Sequence, residues 1–445
     1  MQGSLSRLLS RSSWVIFLVP ALVLLPVCLS NGGLYVDEAA YLTTALALSG
    51  KTNFAFYTDR YPLLPYLLAV LFRLNPGLDP LFLGNVIAYL FALGTVYASY
   101  SLAKALLGSE TGKISILLMS ISWYFWGVSA QVLTDVPSLF LVLLSLVLYL
   151  VAESSPQKGY AMLCTVGSGV LGGLAILMRF QSVLAIFVVV AHSFYTILRR
   201  RSVRRTLMTS VLWLGVVLVT FISILRETYF TLSSAFYNTS MGGVTPTIPN
   251  TVAWLGYTAY DFSFLPVLLA AATLSRLRGK QGAFAWSYLA ISLVPIWIGS
   301  HIEARFILPA FPLVVILASR KVAEISRFRT KLLVLLFLGI MLFTQIAPLG
   351  THTGWENLAK INSPPDSEFL ELANWVRQYT KPTDTIYVSV YAGWPGLSYY
   401  FERHTAHIPE LLPKDAWVVT SAGPPLDRAQ LVQSNAKYAL WHTNP

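Results

Sequence analysis

The 445-residue chain is 55% hydrophobic and only 11% charged, with a mean hydropathy of +0.62; this balance excludes a soluble globular protein and points to an α-helical, multi-pass membrane protein. Its formal net charge of +11 does not indicate nucleic acid, because lysine and arginine cluster in short loops between apolar runs, where they set orientation. The two cysteines, Cys28 and Cys164, lie inside apolar runs and support neither a disulfide framework nor a thiolate metal site.

Residues 14–29 follow Arg7 and Arg11 and read as a retained first helix, since "VCLSNGG" makes a poor signal-peptide cleavage site. In "NGGLYVDEAAYLTTALALSG", 31–50, two carboxylates, Asp37 and Glu38, open a short helix over 36–49 that Gly50 closes. A second short helix, "YPLLPYLLAVLFRL" over 61–74, ends at "NPG". A bilayer crossing takes about 20 helical residues, so both are expected to lie along the membrane surface, apolar side down.

Further spans are predicted at 81–103, 114–131, 136–152, 160–178, 183–198, 206–225, 251–275, 283–300, 306–319 and 332–349, which with 14–29 makes eleven. With the N-terminus inside, the loops "GSETGK", "ESSPQKGY", "RRRSVRR", "RLRGKQG" and "RKVAEISRFRTK" are cytoplasmic and hold most of the positive charge. The same count puts 30–80, 131–135, 179–182, 226–250, 301–305 and everything after 350 outside. The division expected is a transmembrane domain, 1–349, whose first outer loop is 31–80, and an extracytoplasmic α/β domain, 350–445. In that second domain "DSEFLELANWVRQYT" and "PLDRAQLVQS" read as helices, and "DTIYVSVY", "AWVVTSA" and "KYALWHT" as strands.

Asp37, Glu38, Asp135, Arg179, His301 and Arg305 all fall on the outer side of a topology derived from other residues. Each has a bland reading. Asp37 and Asp135 suit helix caps, Pro137 following the latter in the first turn. Arg179 suits interfacial snorkelling, and "HIEARFILPAFP" places His301, Glu303 and Arg305 close enough for a local ion pair. Against these, adjacent helical residues point about 100° apart, so Asp37 and Glu38 cannot both serve one cap. An arginine fork also suits phosphate oxygens, and Gly172 and Gly173 let a helix or lipid come close beside Arg179. His192 reads as packing or interfacial, "SWYFW" as an interfacial belt, and "YAGWPGLSYYF" as either sugar stacking or core.

Taken in order, Asp37–Glu38, "RYPLLPYLLA", "TDVPSLFLVLL", "GLAILMRFQSVL" and "EARFILPAFP" resemble the GT-C superfamily of membrane glycosyltransferases, in particular its protein O-mannosyltransferase and aminoarabinose transferase branch. The resemblance spans 14 to about 320. It departs at Tyr61–Pro62, where the family commonly has a proline pair, and it includes no β-trefoil domain. It implies a sugar donor carried on dolichyl or undecaprenyl phosphate, a lipid, glycan or protein hydroxyl as acceptor, inversion at the anomeric carbon, and a place in the plasma membrane with the site outside. Asp37, Glu38 and Asp135 are then the catalytic candidates. Arg60, Tyr61, Arg179, His301, Glu303 and Arg305 are candidates for holding substrate.

Asp37 is the expected general base, the arginines the counter-charge for a departing phosphate, and Glu38 and Asp135 either orient hydroxyls or hold a divalent cation. No ligand set is complete by spacing, so no metal is assigned. The competing functions are a secondary transporter or lipid flippase, and a membrane scaffold presenting the outer domain.

Overall fold

Within a bilayer, backbone N–H and C=O groups have no water to bond, so the long apolar runs fold as helices that satisfy themselves. The computed structural model describes residues 13–29, 36–51, 61–199, 203–228, 262, 264–293, 304–344, 367–388, 395–408, 413–421 and 429–443. The chain separates into two units, 1–29 with 87–130 and 134–357, and 30–86 with 131–133 and 358–445.

In order, the described helices are α1 Ser13–Leu29, α2 Val36–Ser49, α3 Leu63–Leu74, α4 Pro80–Leu107, α5 Ser109–Ser120, α6 Trp123–Ser129, α7 Asp135–Ser154, α8 Lys158–Met178, α9 Leu184–Leu198, α10 Val203–Arg226, α11 Phe264–Leu274, α12 Gly279–Ser292, α13 Phe311–Ala323, α14 Phe328–Thr344, α15 Ser367–Tyr379 and α16 Pro395–Phe401. Short 3-10 helices at Phe180–Val183 and Ala304–Ala310 lead into α9 and α13. Among the described residues five segments are long and apolar enough to cross a membrane: 80–107, 135–154, 158–178, 180–198 and 203–226. The count of eleven spans goes beyond what these residues establish.

In the first unit α1 is fastened by hydroxyls. Pro20 and Pro26 remove two backbone donors from it. Tyr97 Oη donates to the Phe17 carbonyl, and Tyr89 Oη donates to that of Ala21 at 3.3 Å. The α8–α10 pair is held by small residues: a Cβ on Gly173 would lie 2.7 Å from Thr220 Cβ and 2.9 Å from the Val217 carbonyl, and one on Gly169 2.7 Å from Val216 Cβ. Of the two neighbours those glycines could admit, Gly172 and Gly173 admit a helix. Hydrogen bonds from Trp213 Nε1 to Ser168 Oγ (2.8 Å) and from Ser145 Oγ to the Ser168 carbonyl (2.7 Å) add polar contacts to this packing. Gly173→Leu should cost about 1–3 kcal/mol by forcing this backbone contact apart, read as a lowered unfolding midpoint in detergent. An unchanged midpoint would mean the two helices are not in backbone contact.

Several expectations need correction here. The single span 114–131 is two helices, because Ser122 stands extended between them and caps the second (Phe125 N–H to Ser122 Oγ, 3.5 Å). The "SWYFW" aromatics are core rather than an interfacial belt. Trp123, Tyr124, Phe125 and Trp126 are buried, with Tyr124 edge-on to Phe262 and Phe311. His192 is packing, buried edge-on to Tyr149 and Phe284.

In the second unit α2 and α3 form a hairpin. Gly50 takes φ +78° to end α2, Arg73 donates to the Leu48 carbonyl, and Lys51 Nζ donates to that of Pro76 at 3.0 Å. The α3 helix keeps one face buried (Leu64, Leu68, Phe72) and exposes Val70 and Leu74, as a helix at a lipid surface should. By contrast α2 is buried from Glu38 to Leu46, so it is an interior helix and not the surface helix expected.

The C-terminal segment forms a five-stranded sheet, β1 Thr385–Val388, β2 His404–His407, β3 Trp417–Ser421, β4 Ala429–Ser434 and β5 Tyr438–Thr443, in the order β2-β1-β3-β5-β4. The β1 strand pairs parallel with β2 and β3, and β5 antiparallel with β3 and β4. Strand alternation sorts the core: Val419 and Leu440 pack with Leu372 and Val376 of α15, while Val418, Ala439 and Trp441 make the opposite face. Residues 429–434, expected as helix, are strand because β5 offers them an unpaired edge; a register shift between Leu431 and Gln433 marks the irregular pairing. The short α16 and β2 were not anticipated. In "YAGWPGLSYYF" Phe401 stacks on Phe369 and Tyr400 meets it edge-on, which decides for core over sugar stacking in the described part of that stretch.

Arg403 ties this domain together. Its Nε donates to Thr380 Oγ1 (2.8 Å) and its terminal nitrogens to the carbonyls of Thr380 (2.8 Å), Glu402 (2.9 Å) and Arg377 (3.2 Å), so it satisfies the last carbonyls of α15. Arg403→Ala should cost about 3 kcal/mol, since charged donors to otherwise unpaired carbonyls are worth more than neutral ones. Accelerated hydrogen exchange at the end of α15 is the readout, and lysine, lacking the fork, should restore little of it.

Candidate active site

The α7 helix begins at Asp135 and α8 ends at Met178, so Asp135 and Arg179 stand at the same end of an antiparallel pair. Arg179 leaves the helix in extended conformation (φ −160°, ψ 120°), which turns its side chain back toward α7. Its Nη1 lies 2.8 Å from Asp135 Oδ2, and the two side chains are 12% and 2% exposed, so this is a buried ion pair rather than a surface one. The Asp135 carboxylate is engaged by Arg179; Thr134, the residue before it, is in helical conformation and makes no side-chain cap.

Between α7, α9, α12 and the 3-10 helix Ala304–Ala310 runs a cleft into which this pair faces. At its polar end are Asp135, Arg179, Gln181 and Arg305; deeper it is lined by Leu139, Val142, Val188, Ile291 and Leu308. From Asp135 to Val142 the helix descends about 10 Å, so the cleft carries charge at the mouth and hydrocarbon below. Gln181 keeps its buried Oε1 without a hydrogen-bond partner among the described residues. Sequence reading passed over it: one glutamine carries no spacing signal.

Asp37, Glu38 and Tyr61 lie in the second unit. Glu38 is wholly buried and its Oε1 accepts the Val132 N–H at 2.6 Å, fixing the short connection before α7. Asp37 is only partly buried, and Tyr61 is buried at the start of the α3 segment. Arg60, His301 and Glu303 lie outside the described residues. No cluster of three His, Cys, Asp or Glu side chains able to hold a metal ion occurs among the described residues.

Against known proteins, the whole-chain architecture has clear counterparts. It superposes on ArnT from Cupriavidus metallidurans, solved bound to undecaprenyl phosphate, with a TM-score of 0.73 at 13% identity, covering 98% of this chain and 99% of that one. The fold is that of the GT-C membrane glycosyltransferases. The archaeal oligosaccharyltransferase AglB from Archaeoglobus fulgidus, solved with an inhibitory peptide and a dolichol-phosphate, gives a TM-score of 0.63 at 12% identity over 92% of this chain and 69% of its own. The mycobacterial arabinofuranosyltransferase AftD gives 0.57 at 13% identity, over 98% of this chain and 42% of its own. In sequence, the profile of the dolichyl-phosphate-mannose-protein mannosyltransferase family matches residues 59–230, less than half of this chain but including both Asp135 and Arg179. No curated protein matches the sequence.

Proposed function

We propose that the protein is a glycosyltransferase of the plasma membrane that moves a sugar, a mannose-like hexose or a pentose, from a polyprenyl-phosphate donor to a hydroxyl on a lipid, glycan or protein at the extracytoplasmic face, with inversion. The observation that carries this reading is the cleft in which Arg179 and Arg305 stand above an apolar wall. A polyprenyl phosphate has the same polarity, an anionic head on a hydrocarbon chain.

In the reaction proposed, the acceptor oxygen bonds to the anomeric carbon while the bond from that carbon to the phosphate oxygen breaks. The hydroxyl proton passes to a carboxylate, and the phosphate departs with the bonding pair. A phosphate leaves as an anion without protonation, so the site needs positive charge rather than a second acid. Arg179 and Arg305 supply it in a setting shielded from water, where fixed charge acts most strongly. Asp135 holds Arg179 in position through its 2.8 Å contact. Gln181 Oε1 is proposed to accept a hydrogen bond from a donor hydroxyl, which supplies the partner it lacks among the described residues.

Asp37 is proposed as the base on local grounds. Of the two adjacent carboxylates, Glu38 is sealed from solvent and engaged by Val132, whereas Asp37 is partly exposed. Asp135 meets a guanidinium and Glu38 a backbone N–H, contacts that suit positioning roles better than cation ligation. Arg60, Tyr61, His301 and Glu303 stay in the proposal as substrate-holding residues.

The deciding experiment reconstitutes the purified protein with radiolabelled polyprenyl-phosphate sugars and a panel of hydroxyl acceptors. A new glycosidic bond supports a transferase. Movement of label across the vesicle membrane without bond formation would support a carrier and defeat the proposal.

A further inference from the structure

At the other end of α9 and α12 from the Asp135–Arg179 cleft lies a second, wider pocket. Tyr195, Thr196 and Arg199, from the end of α9, face Arg278, just before α12, and Lys280 and Trp286, from its first and middle turns. Three cations share it. Lys280 is partly neutralised by Glu153, 3.3 Å away, the one carboxylate in contact with them among the described residues. Arg199 lies 5.5 Å over the Tyr195 ring and Arg278 donates to the Ser275 carbonyl at 3.2 Å, and among the described residues neither meets a carboxylate.

Two further features are those of an anion site. The α12 helix starts at this pocket with no side-chain cap from Arg278, leaving its first N–H groups and the positive end of its dipole facing the same space. Thr196 is 0% exposed, lines the pocket, and has a buried hydroxyl with no partner among the described residues. The surface beside it is apolar and outward-facing: Trp286, which lines the pocket, is 53% exposed, and Phe194 and Leu198, on the same stretch of α9 as Tyr195 and Arg199, are 61% and 63% exposed. A soluble anion has no use for that apolar surface. An amphiphile with a phosphate head and acyl chains matches both parts.

We propose that this pocket binds the phosphate headgroup of an anionic phospholipid through Arg199, Arg278 and the uncapped start of α12, with the acyl chains lying along α9. The site is independent of the transfer reaction proposed above. Under the topology set by "RRRSVRR" and "RLRGKQG" it faces the cytoplasmic leaflet.

The test is native mass spectrometry of the full chain in detergent with phosphatidylglycerol, phosphatidylcholine or inorganic phosphate. Wild type should retain phosphatidylglycerol preferentially. Arg199→Gln with Arg278→Gln should lower that retention by at least about tenfold, since each basic side chain near the headgroups contributes comparably, and should leave phosphatidylcholine unchanged. Arg327→Gln with Arg329→Gln, which removes the same charge from exposed positions outside the pocket, should change nothing. Equal losses in the two double variants would reduce the effect to diffuse surface charge, and displacement of the lipid by inorganic phosphate alone would make the ligand a soluble anion; either result overturns the proposal. Should the pocket variant not fold, a photoactivatable phosphatidylglycerol on wild-type protein gives the same decision. Cross-links in 194–199 and 278–287 support the site, and cross-links only elsewhere refute it.

Discussion

Replacing Arg179 by alanine should lower kcat/KM for sugar transfer by about 10²–10³, the usual consequence of removing one fixed charge or donor from a developing anion. The loss should appear in kcat, because the negative charge on the phosphate oxygens grows as the bond to the sugar breaks and the arginine is worth most at that moment. Lysine should recover only part of it, since an ammonium group cannot present two parallel N–H donors. Arg305→Ala should act in the same direction. The difficulty is that Arg179 also neutralises Asp135, whose side chain is only 2% exposed. Breaking one side of a buried pair costs about 3–5 kcal/mol, and a drop in folded protein would mimic a drop in rate. The double variant Asp135→Asn, Arg179→Gln removes both charges, leaves a neutral amide at each position, and should recover much of the folding while recovering none of the transfer. If activity per folded molecule returned with stability, Arg179 would be a structural residue and the phosphate assignment would be wrong.

What the sequence made legible follows from which interactions are local. Apolar runs in a chain with this composition leave a membrane helix as the main way to satisfy the backbone, and α2, α7, α8 and α10 lie within three residues of where they were expected. The end of α2 was legible because Gly50, with φ +78°, does there what few other residues can. The break at Ser122 was not, since a serine inside an apolar run is common and its capping role depends on where the chain turns. Residues 429–434 were misread for a similar reason: their helix-compatible composition yields to the free edge of β5, which no local pattern announces. Burial of Trp123 and Trp126 was equally hidden, because an aromatic cluster looks alike in a belt and in a core.

The candidate site divides along the same line. Asp135 and Arg179 were singled out individually from charge and position, but their pairing spans 44 residues of sequence and comes from the antiparallel packing of α7 and α8. The contact of Glu38 with Val132 spans 94 residues and involves a backbone group, to which every residue type is equivalent. Gln181 carries information only once the described residues around it are known to leave its amide oxygen without a partner among them.

That contact makes the adjacent carboxylates separable by experiment. Asp37→Asn should leave the unfolding midpoint near that of wild type, because a partly exposed amide replaces a partly exposed acid of equal size. It should reduce kcat by about 10²–10⁴, the range lost when a general base is removed, with donor binding unchanged. Glu38→Gln keeps an oxygen for the Val132 N–H and should be close to silent in both stability and rate. Glu38→Ala strands that buried N–H, at about 1–3 kcal/mol, and loosens the connection that leads into Asp135 at the start of α7. Its loss should therefore appear first in the unfolding midpoint and only second in turnover. The pattern to look for is a crossing: Asp37→Asn folded and inactive, Glu38→Ala destabilised and partly active. If instead Glu38→Gln abolished transfer in a protein of normal stability, the proton would have to go to Glu38, and its contact with Val132 would be an orienting bond for the base itself.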